Sequence, residues 1–272
     1  MTLRSFLIAA AVGCMASSGA AQSTVAAPAS LPPVRDNSFL VEEAYNQEAG
    51  VVQHISLFVL TSRERSWEYG FTQEWPAGSQ RHQVSVTVPV MHAAEGTGVG
   101  DVALNYRYQL AFDDATGNAL APRVSVVLPT GDAERGRGTS SLGVQVNLPA
   151  SWGWHRTLVT HWSIGGAWTP SARALSGGRA ATRDLTAAAS AIWLATRGLN
   201  FMLEAAWARE EIAIAADARA AEESAWISPG LRAAIDFPSG LQIVPGLAFP
   251  IGFGPSEGER RVLLYLSFEH GF

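Results

Sequence analysis

Lysine is missing from this chain, and all 19 basic residues among its 272 are arginine. Such a bias is what a GC-rich genome produces. No dense basic cluster accompanies it, so nothing in the charge pattern points to nucleic acid as a partner. Charge of either sign is scarce: 16% of residues, against roughly 25% in ordinary soluble domains. Cysteine is almost absent. The single copy, Cys14, lies in the apolar leader, which leaves the rest of the chain no disulfide and no thiolate metal site. Long apolar runs are lacking as well. Beyond the amino terminus no stretch of about 18 apolar residues occurs, which excludes a helical membrane span. Yet 47% of the chain is apolar. Those residues must be dispersed, and alternating strands disperse them.

What is present begins with MTLRSFLIAAAVGCMASSGAAQS. Arg4, an apolar stretch from Phe6 to Gly13 and small residues up to Ala21 read as a secretory signal peptide over residues 1–21. Val12-Gly13-Cys14 also resembles the end of a lipobox, but Ala11 stands where leucine is usual and the signal would be very short. Residues 22–49 form a lead rich in Pro, Ala and Ser. Its last part, NSFLVEEAYNQEA, predicts a short helix capped by Asn37 or Ser38. A plug or a periplasmic foot would suit it, as would no particular role.

From Val51 on, twelve strand-like segments follow, at about 51–61, 65–75, 80–91, 99–112, 120–129, 139–149, 156–168, 183–196, 199–209, 224–237, 240–251 and 260–272. In DVALNYRYQLAF, Val102, Leu104, Tyr106, Tyr108, Leu110 and Phe112 share one face, opposite Asp101, Asn105, Arg107 and Gln109. Such alternation marks strands. Segments longer than the usual five or six residues of soluble strands suit tilted bilayer crossings. Tight links (PAGS, TRG, PSG) alternate with longer ones at 131–140, 171–183 and 210–224. Eight tryptophans (Trp67, Trp75, Trp152, Trp154, Trp168, Trp193, Trp207 and Trp226) fall near segment ends, while Trp162 is central. Aromatic girdles of a membrane barrel have that arrangement. The carboxyl end, RVLLYLSFEHGF, resembles the terminal strand by which the barrel-assembly machinery recognises its clients, with Phe272 last. The expectation is an all-β, transmembrane, antiparallel up-and-down barrel of about twelve strands over residues 50–272, exported to the outer membrane of a Gram-negative cell and surrounded by its lipid.

GVGDVALNYRYQL followed by PRVSVVLPTGDAERGRGTSSLGVQVNLPAS resembles a family of outer-membrane proteins linked to the phenol meta-cleavage pathway. The likeness rests on Gly98, Gly100 and Asp101, then Pro129, Thr130, Gly131 and Asp132, then Gly136, Gly138 and Ser140, and covers about residues 98–150. It implies a barrel and suggests transport. It carries no site residues over.

Alternation assigns the lumen face. Glu68, Glu74, Asp101, Asp184, Glu204, Asp236 and Glu269 point inward as acids, Arg81, Arg107, Arg123 and Arg232 as bases, and His161 joins them. Charges inside a barrel either pair across strands or line a pore. Twelve strands leave a narrow lumen. Small inward residues (Ser163, Gly165, Ala167, Ala188, Ser190, Gly246 and Ala248) leave space along one wall. The expected function is a channel or transporter for a small solute, with aromatic or apolar ones in view. The alternatives are a structural or surface-interaction barrel with a blocked lumen, and a lipid-modifying enzyme. The last would use His161 and Ser163 as base and nucleophile, but that pair faces inward and its flanks lack the asparagine of such motifs. Asp132 and Glu134 form an exposed acidic loop that suits calcium only weakly. GTGVGD precedes a strand, not a helix, so no nucleotide is expected. No cofactor is called for.

Overall fold

The computed structural model of the chain describes residues 38–62 and 65–272, so the expected signal peptide and most of the lead lie outside the described residues. Twelve antiparallel walls close into a barrel. They are β1 (Val51–Thr61), β2 (Ser66–Pro76), β3 (His82–Ala93), β4 (Gly96–Val99, Ala103–Tyr108 and Ala111–Asp113) and β5 (Asn118–Leu120 and Arg123–Val127). Next come β6 (Gly143–His155), β7 (Leu158–Arg173), β8 (Arg179–Leu194) and β9 (Leu199–Ala215). The last are β10 (Ala218–Ala233 and Ile235–Asp236), β11 (Gln242–Ala248 and Ile251–Gly252) and β12 (Arg261–Gly271). Each pairs with its sequence neighbour, and β12 returns to β1 with Leu57 opposite Tyr265. Closure leaves no free sheet edge, which is what a sheet needs in lipid.

The two faces of the sheet are inverted relative to a soluble protein. Val124, Val144, Val146, Leu148, Ile164, Leu185 and Leu203 are all exposed on the outside, while Gln83, Asn105, Arg107, Arg123, His161, Glu204 and Arg232 are buried. An apolar band of that extent is meant for lipid, not water. Trp152, Trp154, Trp162, Trp168 and Trp193 are on the outer face. Trp226 departs from the expected girdle. On β10 the inward positions are even-numbered, so its ring is buried inside, stacked under the Arg261 guanidinium at 3.9 Å.

Two of the longer expected loops are largely strand. β7 runs on to Arg173 and β8 starts at Arg179; β9 and β10 are joined by only Ala216 and Asp217. Ala172, Ala174, Ala180 and Ala213 pack into a small buried cluster there, and Arg219 pairs with Glu211 at 3.1 Å. Those contacts let the ladder continue past the membrane band. The third loop, between β5 and β6, does remain irregular and contains only a single 3-10 turn at Ala133–Arg135.

The predicted helix within residues 37–49 does not form. Ser38–Glu48 is irregular and lies inside the barrel. Backbone N–H groups that a helix would turn back on itself are taken by wall side chains instead. Phe39 and Leu40 donate to Glu204 Oε1 at 2.9 and 2.8 Å, Ala44 to Ser151 Oγ at 2.9 Å, Asn46 to Gln109 Oε1 at 3.0 Å and Gln47 to Gln83 Oε1 at 2.7 Å. Buried donors must find acceptors, and here the lumen wall supplies them.

Candidate functional site

The lumen is occupied by the chain's own segment Ser38–Gln47, held at both ends by different chemistry. At the Phe39 end the side-chain contact is apolar, beside the backbone bonds to Glu204. Phe39 lies against Tyr265 with ring centroids 5.0 Å apart, in a buried cluster with Val159, Ile192, Met202, Val244 and Leu263. Gly246 makes room for it: a Cβ there would come within 2.3 Å of Phe39 Cζ. The inward small residues expected from the sequence thus include one that the segment fills.

At the other end the contact is ionic and polar. Glu42 Oε2 accepts from Arg123 Nε at 2.8 Å and from Asn147 Nδ2 at 2.5 Å, and Glu42 Oε1 lies 3.4 Å from Arg107 Nη1. Arg107 is buried and almost wholly satisfied by the segment. Its Nε donates to Asn46 Oδ1 at 2.8 Å, its Nη1 to the Glu43 carbonyl at 3.2 Å and its Nη2 to the Tyr45 carbonyl. Glu43 Oε1 and Glu74 Oε2 stand 3.7 and 3.8 Å away. Arg123 is braced by the wall itself, donating through Nη1 to Asn105 Oδ1 at 2.8 Å and Ser125 Oγ at 2.6 Å. Charge-assisted bonds of that length are the strong kind.

Beside the segment is a cavity of about 230 Å³, below the roughly 300–1,000 Å³ usual for ligand sites. Residues 38–43 form one side of it. Ile55, Leu57, Val59 and Tyr265 give it an apolar wall, and Asn105, Arg107, Arg123 and Asn147 give it a polar one. Ser163 and Ala188, both expected to leave room, line it as well.

The residues assigned inward by alternation divide into three groups. Glu68, Glu74, Arg107, Arg123, His161, Glu204 and Arg232 are buried inside the barrel. Asp184 and Glu269 are partly buried; Asp184 accepts from the Glu211 N–H at 3.0 Å and Glu269 from Gln53 Nε2. Arg81 and Asp236 do not line the lumen. Arg81 lies in the turn before β3 and Asp236 on the two-residue piece that follows the break at Ala234, and both are exposed. Alternation has no hold on residues at a strand's ragged end. Asp101 sits at a break in β4, where its carboxylate accepts from Gly131 N at 2.9 Å, Thr139 N at 2.7 Å and Thr139 Oγ1 at 2.8 Å. It ties down the β5–β6 loop and does not face the cavity. Asp132 in that loop caps the 3-10 turn and pairs with Arg137 at 3.3 Å.

His161 is fully buried, and a hydroxyl on the neighbouring strand meets it. Its Nδ1 meets Ser151 Oγ at 2.7 Å, across the β6–β7 pairing, and the Tyr45 ring covers it edge-on at 5.7 Å. The hydroxyl that contacts the imidazole also receives the Ala44 N–H, so the pair anchors the segment.

Alternation puts Asn105 and Gln109 on the face of Arg107, but it does not reveal that wall amides and the acids Glu42 and Glu43 hold the segment in the lumen. Glu42 and Glu43 carried a signal all the same: two adjacent acids just ahead of a barrel whose inward list includes Arg107 and Arg123.

Two solved structures share this architecture. An outer membrane channel from Pseudomonas putida F1 superposes with a TM-score of 0.64 at 14% identity, covering 84% of this chain and 98% of that one. The NanC porin superposes with a TM-score of 0.54 at 10% identity, covering 79% of this chain and 98% of that one. The likeness is one of fold. No family model and no curated protein sequence matches the chain.

Proposed function

We propose that this protein is a channel of the Gram-negative outer membrane that passes a small solute with an apolar or aromatic body, and that segment Ser38–Gln47 sets its closed state. The observation that carries this reading is the two-sided cavity within the lumen. One wall is built from Ile55, Leu57, Val59 and Tyr265, where a filled structural barrel would complete its polar pairing. The fold it shares with an outer membrane channel and a porin supports the reading, as does the resemblance of residues 98–150 to the phenol meta-cleavage family.

The occupied lumen favours a second reading, a barrel whose interior is permanently filled. One experiment separates them. The full chain and a variant lacking residues 38–47 are refolded, checked for heat-modifiable migration, and compared in planar bilayers and in liposomes loaded for solute uptake. The channel reading expects small or rare openings from the full chain and a conductance at least several-fold larger from the deletion. A correctly folded deletion variant that passes neither ions nor small apolar solutes establishes the filled barrel instead.

A further inference from the structure

The polar wall of the cavity is built for a group that the segment now supplies. Without Ser38–Gln47, Arg107 would lose Asn46 Oδ1, the Glu43 and Tyr45 carbonyls and the Glu42 carboxylate. Glu74 would stay beside it, at 3.8 Å and itself bonded to Gln83 Nε2 at 2.6 Å. Arg123 would keep Asn105 and Ser125 but lose its ion pair to Glu42. Asn147 Nδ2 would lose its carboxylate acceptor. What remains is two guanidinium groups and an amide N–H converging on the place of one carboxylate. The wall fixes Arg123 whether or not the segment is present, so the cradle is preorganised.

From this arrangement, and resting on the channel reading above, we infer that Arg107, Arg123 and Asn147 form a carboxylate-binding site and that Glu42 occupies it as an internal stand-in. The ligand class is a small organic acid with an apolar body. Its carboxylate replaces that of Glu42, and its body lies along Ile55, Leu57, Val59 and Tyr265, which line the same cavity. A neutral solute supplies no anion in place of the Glu42 carboxylate, and removing that acid partner from the buried Arg123 is costly unless another anion takes its place. The same exchange couples binding to opening, since an acid that displaces Glu42 removes the strongest polar tie between the segment and the β4–β6 wall. Glu42 is tethered and so competes at high effective concentration. Weak binding to the intact protein and tighter binding once Glu42 is neutralised both follow.

The test measures equilibrium binding, which needs no transport. Benzoate and benzamide have the same apolar ring and differ in the carboxylate. Each is titrated calorimetrically into the detergent-purified full chain, into Glu42→Gln and into the double variant Glu42→Gln/Arg123→Gln, all checked for heat-modifiable migration. Benzoate is expected to bind Glu42→Gln at least tenfold tighter than benzamide does, and at least tenfold tighter than it binds the unaltered protein. The preference should vanish in the double variant. Equal affinities for the two probes in folded Glu42→Gln, or binding of neither, overturn the inference. Should Glu42→Gln fail to fold, the unaltered chain decides at millimolar probe: a benzoate preference supports the site, and no preference or no binding removes it. Benzoate binding without flux would retain the site while sinking the channel. Flux of neutral solutes without benzoate preference would do the reverse.

Discussion

At Gly246 a missing side chain determines where the lumen closes. Phe39 reaches Tyr265 because nothing larger than hydrogen stands on β11 at that point, and a Cβ would intrude to 2.3 Å. Replacing Gly246 by leucine should leave the β11 ladder intact, since its backbone pairs normally with Tyr265 and Arg232. It should expel Phe39. Large-to-small changes at buried phenylalanines cost about 3–5 kcal/mol, and loss of this docking belongs to the same class. Channel recordings on Gly246→Leu are expected to approach those of the 38–47 deletion, and a conductance equal to the unaltered protein would show that Phe39 does not hold the segment. None of this is legible from residues 37–49 alone. Their contacts reach as far as 165 positions along the chain, and an irregular segment has no period to betray which side chains it presents. Acids at 42 and 43 would suit the first turns of a helix, whose N-terminus favours negative charge. In the fold that charge is spent on arginines.

At the scale of an element, the residues that carry the family resemblance act together as a clasp. Asp101 gathers Gly131 N and both the N–H and hydroxyl of Thr139. Gly131 and Gly138 must be small because a Cβ on the first would strike the Arg137 carbonyl at 1.9 Å and on the second the Asp101 carboxylate at 2.4 Å. Arg137, buried behind them, donates to the Glu95 carbonyl at 3.2 Å. A motif whose glycines look like a flexible loop is therefore a packed junction between β3, β4 and the β5–β6 connection. Hydrogen bonds to a charged group contribute about 1.5–3 kcal/mol each, so Asp101→Ala should release the loop without dismantling the barrel. Limited trypsin digestion of the folded protein checks this: cleavage at Arg137, protected in the unaltered protein, should appear while heat-modifiable migration stays the same. Continued protection of Arg137 would mean that its own contacts, and not Asp101, hold the loop. Strand positions were readable here because alternation persists through β4 and β5. The break at residues 100–102 was not, since Asp101 keeps the inward parity while its carboxylate turns to the loop.

Over the whole molecule the legible quantity was the sign of each face. Outside the apolar patch that receives Phe39 and lines the cavity, inward positions are mostly polar or small and outward ones mostly apolar, so period two yields both the strands and the solvent they meet. Trp226 shows the limit: position near a strand end suggested the girdle, and parity, which puts it beneath Arg261, was the better guide. The same parity gives a direct test of the lipid-facing surface. Ile164 is exposed on β7, between Trp154 and Trp193 toward one end of the band and Trp168 toward the other. An arginine near the bilayer midplane of a barrel costs about 2–4 kcal/mol, falling toward zero at the interfaces. Ile164→Arg should therefore lower the unfolding free energy in lipid vesicles by that amount. Leu158→Arg, at the edge of the band next to Trp193, should cost about 1 kcal/mol or less by the same depth rule. Both positions are outward and apolar, so a soluble core would penalise the two alike. Denaturant titration of the two variants in vesicles separates the cases, and equal penalties would mean that the face carrying Ile164 does not meet hydrocarbon.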